Sequence, residues 1–334
     1  MQVKPGYKFV LSLAMMLIAS TLFAQDQKED QTEEQQAEPF VQQYSDAEWV
    51  EYEFGVRVEC SGGYALTTTV NAPIPIEWPD QELELYEETK SNNIKKNIIT
   101  KPLKGTGNAS YMAFGVPRLN NGDYAEGILR YRVKRKNTIR PEDTDQFEFA
   151  EKLKGKMKAY LKPSPFIDSR SKQIRGIGEE ILAETKDLPA WDQVEAIYSW
   201  VRENVRYKFD KLPHTCAEAL ESGHGDCEEL SALFIAICRS RGIPARAVWV
   251  PGHTYPEFYL ADATGQGHWF PCQAAGQNHE FGEMNEARPI LQKGDRFRTP
   301  VGKEWKRYVE VALSAKDATG ALKVEHVMRK VGDE

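Results

Sequence analysis

The chain has 334 residues, 41% of them hydrophobic and 28% charged, which suits a soluble globular protein with room for two domains and no need of covalent staples. A formal net charge of −7, a pI near 5.6 and the lack of any basic block argue against nucleic acid or an anionic membrane as partner.

In chain order, residues 1–24 place Lys4 and Lys8 before an apolar run from Phe9 to Phe23 and then Ala24. This is the layout of a secretory signal peptide, and the run is short of the roughly 20 residues that span a bilayer. The expectation is an exported protein, periplasmic or extracellular, with no stable membrane insertion after cleavage. Residues 25–45 include DQKEDQTEEQQAEPF, too poor in large apolar groups to offset ordering entropy, and are expected to be a disordered acidic linker.

Residues 46–150 carry segments rich in Tyr, Val, Phe and Thr, such as WVEYEFGVRVEC and YAEGILRYRVKRK, separated by Gly, Pro and Asn. Short strands at that spacing predict a β-sandwich-like domain. From 151 to 300 the period changes to helical in KQIRGIGEEILAETK and AWDQVEAIYSWVRENVRY, where Trp191, Val194, Ile197, Tyr198 and Val201 share one face. The next helix is GDCEELSALFIAICRSRG: Asp226 and Cys227 open it, Leu230, Leu233, Phe234, Ile237 and Cys238 form a buried stripe, and Gly242 with Pro244 ends it. AVWVPGHTYPEFYLAD then reads as one irregular strand, joined through ATGQG to HWFPCQAAG. Residues 277–295 read as loop, and 301–334 as a C-terminal β extension. The fold class expected is α+β.

Cys227, in a first helical turn, meets unpaired backbone N–H groups and the positive end of the helix dipole, both of which favour thiolate. His253 follows on the hairpin and Gln273 on the next strand. That order suits a nucleophile, a proton shuttle and a group that fixes the imidazole tautomer. Trp269, Pro271 and Gln273 share one strand face, which turns Cys272 to the other. Asp262, the nearby carboxylate, falls at a turn. His214, His224, His268 and His279 sit in turn or loop sequence, with His224 three residues before Cys227. No paired short spacing points to a metal, and no cofactor motif is present. Five cysteines leave an odd count, consistent with one reactive thiol and up to two bridges, of which Cys216–Cys272 is the most natural.

GHGDCEELSALFIAICRSRGIPAR, HTYPEFY and WFPCQ, in that order, resemble the three motifs of the transglutaminase-like superfamily, which has a papain-like cysteine hydrolase core. The resemblance covers roughly Pro189–Gln273. It implies Cys227 as nucleophile, His253 as base and the third-motif residue as orienter, acting on an amide or peptide bond of a protein or peptide substrate. Some members stabilise the oxyanion with an upstream indole, for which Trp191 is the candidate; the Cys227 N–H is the simpler donor. The family usually has Asp where Gln273 stands. Gln accepts the same hydrogen bond without adding charge. Two functions follow: a thiol enzyme with hydrolysis preferred over cross-linking, or a non-catalytic envelope scaffold that keeps the fold.

Overall fold

Alternating apolar residues on four of the six early strands close the first core. The six are β1 (Trp49–Ser61), β2 (Tyr64–Ile74), β3 (Gln81–Lys90), β4 (Ile99–Pro102), β5 (Asn108–Asn120) and β6 (Tyr124–Arg135). Phe54, Val56 and Val58 of β1 and Leu129 and Val133 of β6 face Val70 and Ala72 of β2 and Met112 and Phe114 of β5 across a dry interior. The structure, a computed structural model, describes residues 38–103, 107–299 and 304–332. The expected signal peptide lies outside the described residues, as does most of the expected linker. Residues 38–45 of that linker are ordered: the Phe40 N–H donates to Asp262 at 2.9 Å, and Tyr44 bridges to Thr138.

The helical layer follows: α1 (Lys172–Glu184), α2 (Ala190–Asn204), β7 (Arg206–Tyr207), α3 (Cys216–Ser222), β8 (His224–Gly225) and α4 (Cys227–Ser240). Ser171 caps α1 by accepting from the Ile174 N–H at 3.1 Å. The predicted stripe of α2 is fully buried from Trp191 to Val201. Helix α3 opens on a reciprocal pair between Thr215 and Glu218, the Thr-x-x-Glu capping box that marks a helix start in sequence. Helix α4 is not the one-sided helix its stripe predicts, for every residue from Glu229 to Arg239 is buried. Ala232, Ser231 and Ala236 are small enough for neighbouring elements to cover their side too.

The remaining strands are β9 (Ala245–Val250), β10 (His253–Ala261), β11 (Gly267–Pro271), β12 (Gln292–Lys293), β13 (Phe297–Arg298), β14 (Trp305–Lys306), β15 (Ala312–Ser314), β16 (Asp317–Ala318) and β17 (Ala321–Lys330). The stretch expected as one irregular strand is two, because Pro251 and Gly252 (φ +68°) form a turn that starts β10 at His253. One sheet runs β11-β10-β9-β12-β5-β2-β15, and a second runs β17-β1-β6-β3. Gln292 of β12 joins Trp249 on one side to Ala109 on the other, within the stretch expected to be loop. The fold is thus α+β, with a helix-start cysteine packed on an antiparallel sheet after a β-rich region. No helix among the described residues is long and apolar enough to cross a membrane.

Candidate active site

Gly223 (φ +69°) ends α3 and turns the chain toward α4. A Cβ on Gly225 would lie 2.7 Å from the Glu229 Cβ, so only glycine lets this strand approach the helix start. Asp226 then caps α4, accepting from the Glu228 N–H at 2.7 Å while Glu229 accepts from the Asp226 N–H at 2.9 Å. Cys227 is the first helical residue and half-buried. It lines a cavity of about 590 Å³ together with His253, Tyr207 and Trp249.

His253 opens β10, and its Nε2 lies 3.1 Å from Gln273 Oε1. Gln273 is held by its own backbone. Its N–H donates to Glu280 at 2.8 Å, and its carbonyl accepts from Arg202 Nη1 at 2.8 Å. Arg202 also reaches the Gly276 carbonyl at 3.0 Å. Arg202, at the end of α2, was invisible to motif reasoning because it acts on carbonyls, which no sequence pattern marks. The structure therefore joins His253 to Gln273 and sets His253 and Cys227 on one cavity, while Cys272 faces the core with no exposure.

The electrostatics correct one expectation. Burial pushes the Cys227 thiol up to about 11; the Thr254 backbone works against this, and the charges of Asp226, Glu228 and Glu229 add to the rise. Helix-end stabilisation of a thiolate is outweighed chiefly by burial. Burial, with Arg288 nearby, lowers His253 below its usual 6.5, against Glu286 and the Gln273 bond. Burial and the contact with Glu229 raise Asp226 to about 7. The resting pair is a thiol and a neutral imidazole.

Other candidates are occupied elsewhere. Asp262 organises the β10–β11 turn, pairing with His268 at 2.8 Å and accepting from Thr264 and Gln266. His268 is therefore a strand residue hydrogen-bonded to Asp262 and not a loop histidine. His224 Nδ1 turns to the Ser222 carbonyl at 2.8 Å. Trp191 is sealed among Phe147, Phe258, Phe270 and Phe281, away from the cavity lining. All five cysteines are free, including Cys216 and Cys272. Among the described residues no group of three or more His, Cys, Asp or Glu is placed to hold a metal.

The cavity wall also holds a histidine outside every motif, His326 of β17. A second polar cluster, built on the motif residues Arg246 and Glu257, is buried beside β10. Glu257 is held by Arg246 at 2.6 Å and Lys293 at 2.6 Å, and Arg246 lies 4.0 Å over the Trp269 ring. Asp80 and Arg135 extend it into the β-rich region, with Arg135 donating to the Tyr255 hydroxyl at 3.0 Å.

Residues 175–274 match the sequence model of the transglutaminase-like superfamily. No curated protein matches the chain. Among solved structures, a protein from Cytophaga hutchinsonii described as a "putative cysteine protease" is similar at 13% identity and TM-score 0.55, over 87% of this chain and 94% of that one. The periplasmic domain of TgpA from Pseudomonas aeruginosa is similar at 12% identity and TM-score 0.32, over 70% of this chain and 94% of that one, a likeness too distant to carry weight. Matched segment and shared fold make residues 175–274 a transglutaminase-like core.

Proposed function

We propose that this chain is an exported thiol hydrolase that cleaves amide or peptide bonds with Cys227 as nucleophile, His253 as general base and acid, and Gln273 as orienter. The reading is carried by the 3.1 Å contact between His253 Nε2 and Gln273 Oε1, on a histidine that shares its cavity with Cys227. Gln273 Oε1 accepts from Nε2–H, so the neutral ring keeps its lone pair on Nδ1 for the thiol proton.

Attack forms the Cys227 S–C bond as the proton passes to Nδ1. The tetrahedral oxyanion meets the Cys227 N–H, which the Asp226 cap leaves unclaimed by taking the following amides. Collapse breaks the C–N bond, and His253 returns the proton to the leaving amine. A water then gives its proton to His253, adds to the acyl carbon and releases the acid, and the thiol is restored. Because both partners rest neutral, proton transfer accompanies attack. Export rests on the leader-like residues 1–24; amino-terminal sequencing of the mature protein from a periplasmic or secreted fraction should begin at Gln25.

p-Nitrophenyl acetate tests the chemistry. Native protein should acquire an acetyl group on Cys227, located by peptide mass mapping, and lose it to water. Cys227→Ala should acquire none there, and His253→Ala should acylate on the order of 10²-fold more slowly. Equal acylation rates with and without His253 would sink the enzyme. Release of ammonia or new amino termini from casein, without incorporation of dansylcadaverine, separates hydrolysis from cross-linking. The neutral orienter and the raised thiol favour a second reading, a non-catalytic envelope scaffold; an unacylated native Cys227 would support it.

A further inference from the structure

Three carboxylates open α4, and they are held in two different ways. Asp226 and Glu229 are tied to backbone amides, those of Glu228, Asp226 and His214. Glu228, the residue directly after the nucleophile, forms an ion pair with Arg307, which lies beyond the family-matched segment. Glu228 lines two hollows: the Cys227 cavity, and a smaller one bordered by Phe166, Ser231 and Trp249. Arg307 belongs to the smaller hollow and not to the cavity wall, so the pair draws the carboxylate to the side away from the thiol. The cation is itself fixed. Its side chain is only 12% exposed, and its guanidinium rests 4.5 Å over the Phe166 ring, with Tyr308 at 5.6 Å and Trp249 at 6.0 Å. Phe166 holds that ring from a left-handed backbone (φ +66°), a conformation costly for a residue with a side chain. A strained residue carrying the platform for a largely covered cation sets this pair apart from an exposed surface ion pair.

We propose that Arg307 is a positioning residue of the Cys227 site: it turns the Glu228 carboxylate out of the cavity and neutralises it, so that the charge next to the nucleophile does not oppose the thiolate that forms on attack. The proposal rests on the reading of Cys227 as nucleophile, and it gives the C-terminal segment a part in that chemistry. An unpaired carboxylate within a few ångströms of a forming anion in a half-buried site acts against it more strongly than it would in water. Burial pushes the Glu228 carboxyl up and Arg307 works against that rise, which keeps the pair ionic. The other titratable groups around the thiol are Asp226 and Glu229 in its own turn, Tyr207 on β7, His253 on β10, Arg288 before β12, and Glu310 and His326 on the C-terminal wall. Substitutions at 228 and 307 leave all of these in place.

The test is the second-order rate of iodoacetamide on Cys227 from pH 8 to 10, read on the Cys227 peptide by mass. Arg307→Gln leaves Glu228 unpaired and should slow the reaction about threefold to tenfold, because the thiolate fraction falls while higher intrinsic nucleophilicity offsets part of the loss. Glu228→Gln removes the negative charge, leaves the cation, and should speed the reaction about threefold. The double variant carries neither charge and should return to within about twofold of the native rate. Acylation by p-nitrophenyl acetate should follow the same order. An unmoved rate in Arg307→Gln overturns the proposal. So does slowing in both single variants without recovery in the double, the pattern of a pair that only braces the fold. Acylation that ignores the order sinks the role of Arg307 and leaves the hydrolase standing. A native Cys227 that iodoacetamide modifies but p-nitrophenyl acetate never acylates sinks the hydrolase, and with it the catalytic meaning of the pair.

Discussion

Strand β10 carries two polar clusters four residues apart, and they differ in how their polar atoms are satisfied. At Glu257 both carboxylate oxygens are engaged by cations, Arg246 and Lys293 are buried with it, and Trp269 covers one guanidinium. At His253 the ring has one fixed hydrogen bond, to a neutral amide, and faces a cavity. The Glu257 carboxylate has no oxygen left for a ligand. The His253 ring keeps a second nitrogen and an open wall. Sequence motifs flag both residues alike, since His253 and Glu257 both lie in HTYPEFY, the stretch that resembles the family's histidine motif; satisfaction of hydrogen bonds tells structural from chemical roles.

The largest test of this contrast removes the nucleophile. Cys227→Ala should abolish acylation by p-nitrophenyl acetate at that position while the thermal midpoint stays within a few degrees, because Cys227 is only half-buried and leaves no sealed cavity. A large drop in midpoint would make Cys227 a packing residue and erase the distinction. The opposite pattern is expected at Glu257. Glu257→Gln leaves Arg246 and Lys293 as buried charges short of a counter-ion and should cost about 3–5 kcal/mol in urea unfolding. Acylation per folded molecule should change less than threefold.

The same cluster sets an acid limit. Burial alone would raise the Glu257 carboxyl, but Arg246 and Lys293 outweigh it and bring the group from 4.5 to about 2. The folded state therefore binds this proton less readily than the unfolded chain. The stabilisation is complete above about 4.5 and is lost as pH falls toward 2. Urea midpoints measured from pH 6 to 2.5 should fall across that window in the native protein and stay flatter in Glu257→Gln.

A smaller effect should follow from charging the orienter. Gln273→Glu keeps the side-chain length and places a carboxylate against Nε2, so the imidazolium gains a partner. The His253 titration, now held below 6.5 chiefly by burial, should move up, as read by the imidazole proton shifts in NMR. The acid limb of the acylation profile should move with it. An unmoved titration would mean that residue 273 does not govern the ring.

The legible parts of the fold were those written locally. The α2 stripe, the Cys227 helix start and the turn at Asp262 each lie within one short window of sequence. The facing of Gln273 and Cys272 followed from strand alternation alone. What escaped was non-local or misweighted. The burial of α4 on every side from Glu229 to Arg239 depends on elements packing over its small residues, and Lys293 gains meaning only because β12 inserts beside β9. His326 reaches the cavity from the far end of the chain. Pro251-Gly252 was visible as a turn signal and was read only as an irregularity, which hid that His253 begins a strand. The thiol departs from what the helix dipole alone implies because burial, a non-local property, dominates, with Asp226, Glu228 and Glu229 adding to it.

Arg202 offers the finest discrimination. It lies 5.3 Å over the Tyr198 ring and donates to the Gln273 and Gly276 carbonyls, so it fixes the backbone from which the orienting amide extends. It touches neither the thiol nor the imidazole, so its loss should loosen Gln273 without changing the proton chemistry. Arg202→Gln should slow Cys227 acylation about threefold to tenfold, the scale of one or two hydrogen bonds, and leave the pH profile where it stands. Arg202→Lys keeps the charge but not the fork, reaches one carbonyl instead of two, and should recover only part of the rate. A shift of the profile in either variant would mean that Arg202 acts on His253 through its charge. An unshifted profile with graded rates is what a guanidinium that merely holds two carbonyls in place should produce.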